Sequence, residues 1–184
     1  MLFIRMESQY RNRYRVESAR RKGFDYSRPG SYFVTICTKN KQHLFGEIIP
    51  GDQTDQNEKS QKMILNEYGK IVHDCWYDLP NHYPYIRLDA FTVMPDHVHG
   101  IIIIDNPLDD NKYHGLSEFV RAFKSFSSRR ISELRKGNNT GIWQSRYYDH
   151  IIIGHDDLSN IRNYIIKNPD NWEFHDTEIP YIFM

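Results

Sequence analysis

A chain of 184 residues with 39% hydrophobic and 14% aromatic content suits one domain, and it holds no run of about 18 apolar residues that would cross a membrane. Its formal net charge of zero, from 24 basic and 24 acidic residues, conceals a strong asymmetry along the chain. Cys37 and Cys75 lie far apart without metal-type spacing and argue for a reducing, cytoplasmic setting.

Residues 1–30 read as a basic N-terminal arm that ends in the turn Ser27-Arg28-Pro29-Gly30 and is partly disordered when unbound. Arg5, Arg11, Arg13, Arg15, Arg20, Arg21 and Lys22 oppose only Glu7 and Glu17 there. No long apolar stretch follows Met1-Leu2-Phe3-Ile4-Arg5, so a secretory signal is not expected. Tyr32 to Thr38 is β-branched and aromatic and predicts a first strand. Residues 46–60 are polar, contain Pro50-Gly51 and read as a loop. Asn66 to Leu79 carries Tyr68, Ile71, Val72, Cys75 and Trp76 on one helical stripe, stopped at Leu79-Pro80.

Ile86–Val93 and His97–Ile104 read as two strands joined by the tight break Met94-Pro95-Asp96. Leu116 to Leu134 predicts a long helix with Leu116, Phe119, Val120, Phe123, Phe126, Ile131 and Leu134 on its apolar stripe. Residues 116–136 are the second basic block, with Arg121, Lys124, Arg129, Arg130, Arg135 and Lys136 against Glu118 and Glu133. Two basic blocks in a neutral chain point to a polyanion, although a solvated arm and helix face would look the same. Trp143 to Ile153 predicts a fourth strand. Asp156 to Asn168 predicts a last helix, capped by Asp156 or His155 and ended by Pro169. The order β-α-β-β-α-β-α is that of an α+β, ferredoxin-like split βαβ fold: an antiparallel sheet with helices on one face, plus an extra C-terminal helix. The expected division is the arm, a domain over 31–172 and a tail over 173–184.

Residues two apart on a strand share a face, so the roots of His97 and His99 stand about 6.5–7 Å apart and the rings can converge on one cation. Two polar rings between apolar neighbours must be paired or ligated. A cation site and a pair of hydrogen-bonded sheet histidines both satisfy that need. Tyr164 and Asn168, four residues apart, lie on one helical face. They suit a nucleophile and a carbonyl-oxygen ligand, or an amphipathic core-edge tyrosine and a helix-ending asparagine before Pro169. Asp96 suits a residue that orients a histidine, or an ordinary turn aspartate. Arg121, Lys124 and Ser125 suit phosphate, or simply water. Tyr147, Tyr148 and His150 are weaker candidates on the fourth strand.

The runs Val93-Met94-Pro95-Asp96-His97-Val98-His99, Phe123-Lys124-Ser125-Phe126, Trp143 to His150 and Ile161 to Pro169 resemble, in order and spacing, the single-tyrosine HUH transposases. They are most similar to the REP-associated tyrosine transposases, over residues 26–172. The resemblance implies a metal-dependent single-stranded DNA endonuclease and strand transferase that acts on DNA hairpins, in this branch those of REP-like palindromes. It implies Tyr164 as nucleophile, forming a 5′-phosphotyrosine, and His97, His99 and Asn168 as metal ligands. Mg²⁺ or Mn²⁺ suits that chemistry, with two imidazoles favouring Mn²⁺. Backbone phosphates would be met by Arg121, Lys124, Ser125, Arg129 and Arg130 on the long helix and by Arg13 and Arg15 on the arm. Both monomers and homodimers occur among proteins of this kind.

Three other readings remain. The His-x-His pair suits a metal-dependent hydrolase, although the chain is short for a barrel and offers no second histidine pair. A hairpin-binding protein that has lost catalysis would share every motif but form no covalent adduct. A relaxase would share the histidine pair in a larger chain with another strand order.

Overall fold

Alternating apolar residues build two faces of one sheet. The computed structural model describes residues 23–51, 60–105, 114–136 and 141–174. In chain order these form β1 (Gly30–Cys37), β2 (Gly46–Pro50), β3 (Gln61–Leu65), α1 (Glu67–Tyr77), α2 (Leu79–His82), β4 (Ile86–Val93), β5 (His97–Ile104), α3 (Leu116–Leu134), β6 (Tyr148–Ile152) and α4 (Gly154–Ile166). Short 3-10 turns occupy Lys39–Lys41 and Pro169–Phe174. The central sheet runs β4-β5-β1-β6, with every pair antiparallel. This is the strand order of a ferredoxin-like split βαβ, the fold expected from the sequence.

The strand period then sorts the side chains. Tyr32, Val34 and Ile36 of β1 and Val98, Ile102 and Ile104 of β5 join the main core with Val72 and Trp76 of α1 and Phe119 and Phe123 of α3. Phe33 of β1 and Ile101 of β5 face the other way and pack with Ile161 and Ile165 of α4. The extra helix therefore covers the face that α1 and α3 leave open. Gly100 makes the main face possible: the Trp76 indole lies so close that an added Cβ would sit 2.3 Å from its Cζ2. That indole is stacked on Phe91 with ring centroids 4.5 Å apart.

The structure departs from the sequence reading at five places. Part of the expected 46–60 loop is β2, which pairs with β3 from Gly46↔Leu65 to Pro50↔Gln61. The hairpin has little apolar alternation of its own; it is held because Met63 and Leu65 pack against the main core and the Asn66 N–H donates to the Phe45 carbonyl. The helix expected over 66–79 ends at Tyr77, and a separate turn of helix begins at Leu79 with Pro80 in its first turn. The fourth strand begins at Tyr148 rather than Trp143, which makes one isolated bridge to Thr38. The intervening carbonyls of Gln144, Ser145 and Arg146 turn toward Lys124 Nζ instead of a neighbouring strand. Leu134 is 51% exposed and so drops out of the apolar stripe of α3.

Last, α4 begins at Gly154, and neither Asp156 nor His155 caps it. Gly154 makes the strand-to-helix turn at φ 84°. The Asp157 carboxylate accepts the Ile153 N–H at 2.9 Å. The basic arm up to Lys22 and the tail from His175 lie outside the described residues, as do residues 52–59 of the polar insertion.

Candidate active site

β1 and β5 lie side by side, so Thr35 stands opposite His99 and Cys37 opposite His97 on the face covered by α4. Both histidines are buried. The Asp96 carboxylate accepts from His97 Nδ1 at 2.5 Å, and the Thr35 hydroxyl bonds His99 Nδ1 at 2.8 Å. With both Nδ1 atoms taken, the two Nε2 atoms point at each other, 3.0 Å apart. In the tautomer that donates from each Nδ1, two lone pairs face one spot, an arrangement that needs a proton or a cation between them. Phe33 stacks on the His99 ring at 5.4 Å and keeps it upright.

α4 brings the phenol to the same spot. The Tyr164 hydroxyl lies 3.4 Å from His99 Nε2, and its ring is edge-on to Phe33. Burial pushes the phenol above its ordinary pKa, while the neighbouring Asn168 pulls the other way. Asn168 itself is 1% exposed, and neither of its amide atoms reaches hydrogen-bond geometry with any group. A buried amide whose polar atoms stay unpaired costs about 1–3 kcal/mol. Among the described residues no three His, Cys, Asp or Glu side chains converge as a metal cluster. The polar groups gathered here are the two imidazole Nε2 atoms, the Tyr164 hydroxyl and the Asn168 amide beside it.

Burial drives the Asp96 carboxyl up, but the His97 hydrogen bond and the charges of His97, Lys41 and His43 outweigh it and hold the group below the usual carboxylate range. Lys41 Nζ lies 3.6 Å from Asp96 Oδ2. Trp172 closes this side, with its ring 6.2 Å from that of His97 and 5.4 Å from that of His43.

The expected phosphate-binding residues fall elsewhere. α3 packs on the opposite face of the sheet from the histidines. Arg121 is paired with Glu118, Arg130 bonds Asp78 at 3.2 Å, and Ser125 and Arg129 are exposed. Lys124 is half-buried under the 144–146 carbonyls, and burial lowers its pKa to about 8. Arg13 and Arg15 lie outside the described residues. His150 pairs with Asp157 at 3.0 Å, Tyr147 takes Lys124 over its ring at 5.6 Å, and Tyr148 packs against Phe33.

Sequence reasoning offered Asp96 as an orienting residue only beside the simpler reading of a turn aspartate, and missed Thr35, Phe33, Lys41, His43 and Trp172. A threonine inside an apolar strand was the one available signal for Thr35. The others depend on strand register and on a turn that the sequence does not announce.

A split βαβ sheet that carries a histidine pair beneath a tyrosine-bearing helix defines a class of α+β domain with a sheet-borne site. Residues 57–168, which include His97, His99, Tyr164 and Asn168, match the model of the IS200-like transposases. The chain belongs to that family, and with it to transposase-like proteins that act on DNA. A Haemophilus influenzae (strain KW20/Rd) protein of uncharacterised function is 35% identical over 170 residues, covering 85% of this chain and 89% of the relative. A second protein of that organism, provisionally described as a REP-associated tyrosine transposase, is 25% identical over 150 residues, covering 79% of this chain and 73% of the relative. A solved REP-associated tyrosine transposase bound to a REP hairpin superposes with TM-score 0.54 at 19% identity, over 82% of this chain and 72% of that one, and shares its fold. The family expected from the sequence motifs is the one found.

Proposed function

We propose that this protein is a metal-dependent single-stranded DNA endonuclease and strand transferase that acts on DNA hairpins through Tyr164. The observation that carries this reading is the approach of the Tyr164 hydroxyl to His99 Nε2, which itself faces His97 Nε2. The phenol attacks the scissile phosphorus in line. A tyrosine O–P bond forms, the P–O3′ bond breaks, and the phenolic proton passes through solvent to the released 3′-oxygen. The product is a 5′-phosphotyrosine and a free 3′-hydroxyl. A second 3′-hydroxyl can reverse the exchange, so strand transfer needs no nucleotide cofactor.

The two imidazole Nε2 atoms face each other 3.0 Å apart and Asn168 is buried beside the Tyr164 phenol, which supports His97, His99 and Asn168 as the residues that would hold a divalent cation. Mg²⁺ or Mn²⁺ held there supplies Lewis-acid polarisation of the phosphate. Asp96 and Thr35 engage the Nδ1 atoms and so orient the two rings with Nε2 toward the site. The exposed groups Arg121, Ser125, Arg129 and Arg130 of α3, with Arg13 and Arg15 of the arm, meet backbone phosphates; Lys124 instead shapes the 144–146 loop. REP-like palindromes are the proposed hairpins, in keeping with what the solved relative binds.

The test is incubation of the protein with labelled single-stranded hairpins and Mn²⁺, followed by a denaturing gel and mapping of any adduct. An adduct on Tyr164 that is lost in Tyr164→Phe, with hairpin binding retained, is the expected result. Binding without an adduct would leave a non-catalytic hairpin-binding protein. Cleavage without an adduct would indicate hydrolysis by activated water, and an adduct on Tyr148 would move the nucleophile.

A further inference from the structure

α4 carries the tyrosine but has a narrow apolar seat, with Ile161 and Ile165 as its fully buried residues. It crosses the sheet, and a carboxylate pair ties it to each edge strand. Near its N-terminus, Asp157 Oδ2 bonds His150 Nε2 of β6 at 3.0 Å. Toward its C-terminus, Arg162 forms a fork on Asp89 of β4: Nε to Oδ1 at 2.8 Å and Nη2 to Oδ2 at 2.5 Å. Asp89 sits where the β4–β5 register shifts between Leu88 and Phe91. Its Oδ1 also accepts the following Ala90 N–H at 2.7 Å, which fixes the carboxylate's direction. The side chain of Asp89 is 17% exposed and that of Arg162 41%, so the carboxylate end of the pair is shielded while the guanidinium stays open to water. Tyr164 lies two residues beyond Arg162, over the central strands that carry Phe33 and His99.

We infer that the Asp89–Arg162 fork, opposed by His150–Asp157 at the other sheet edge, is a two-ended clasp that sets the tilt of α4 and thereby the position of the Tyr164 hydroxyl over His99. Arg162 and Asp89 are positioning residues: they touch neither the phenol nor the histidines. The inference rests on the proposed role of Tyr164 for its catalytic consequence, but the placement of α4 can be read without it. A displacement of about 1 Å at a reacting group can slow a reaction by about a hundredfold. Removal of one end of the clasp should therefore slow chemistry well before it unfolds the protein.

The experiment compares the full chain with Arg162→Gln and Arg162→Lys. Three quantities are measured: the rate of adduct formation at saturating hairpin DNA with Mn²⁺, the hairpin Kd, and amide hydrogen exchange by mass spectrometry. Arg162→Gln should slow adduct formation about tenfold or more, with Kd changed less than twofold. Exchange in residues 158–166 should quicken while exchange in α1 and α3 stays at the parent rate. Arg162→Lys, which keeps the charge but not the fork, should fall between. Two results would overturn the clasp: adduct formation within twofold of the parent together with unaltered exchange in α4, or a general rise in exchange across all helices with parallel loss of binding. If the parent forms no adduct on any hairpin, the nuclease reading fails by itself. Exchange in α4 then decides the clasp alone, faster in Arg162→Gln upholding it and unchanged rejecting it.

Discussion

Asn168→Leu tests the site through stability rather than turnover. The Asn168 amide is buried with both polar atoms lacking partners. Leucine has nearly the same branched shape and removes both atoms from the interior. An unsatisfied buried polar group costs about 1–3 kcal/mol, so without divalent cations the variant should be more stable than the parent by that order. For a chain of this size each kcal/mol moves Tm by roughly 2–4 °C, which predicts a rise of roughly 2–12 °C in EDTA. Mn²⁺ should narrow or reverse the difference. A cation present at a hundred times its Kd stabilises the native state by about 2.7 kcal/mol, a shift the parent should show and the variant should lose. Thermal melting in EDTA and across a Mn²⁺ titration measures both. A variant that is less stable in EDTA, yet responds to Mn²⁺ as the parent does, would refute the assignment of Asn168 as a ligand.

Three further outcomes follow from the geometry. Thr35→Val removes the partner of His99 Nδ1 and should weaken Mn²⁺ binding by about 10–100-fold; calorimetry giving an unchanged Kd would deny Thr35 its orienting role. Gly100→Ala places a methyl 2.3 Å from Trp76 Cζ2 and should destabilise the protein by about 1–3 kcal/mol in urea unfolding; a neutral effect would mean that the indole shifts freely. Burial holds Lys124 at about 8 against its ordinary 10.5, so between those pH values the unfolded chain binds more protons and the folded state gains stability as pH rises. Because the ammonium is still partly in water, that gain is on the order of 1 kcal/mol. Lys124→Met should lose it; urea unfolding at pH 7.5 and pH 10 that gives the same parent-to-variant difference would contradict the assignment.

Most of the sheet could be read from the chain because strand period and helix stripe are local properties. The histidine pair was legible for the same reason: His97 and His99 sit two apart on a strand, and their common face follows from the pleat. The meeting of Tyr164 with them was suggested only by family resemblance, since no local rule says which sheet face a terminal helix covers. β2 and β3 were not legible, because the hairpin is fixed by docking against the main core rather than by its own pattern. Lys124 was misjudged in a similar way. A lysine off the apolar stripe looks solvated, and only the folded path of residues 144–146 brings three carbonyls to it. Asp89 and Arg162 stand 73 positions apart, a distance at which opposite charges carry no sequence signal.

The sheet divides the apolar interior into unequal halves. Under α4, two fully buried isoleucines contribute roughly 3–6 kcal/mol, a small share beside the larger half built by α1 and α3. Mild denaturant or moderate heating should thus disconnect the phenol from the imidazoles first, leaving a folded body whose Tyr164 has swung out of reach.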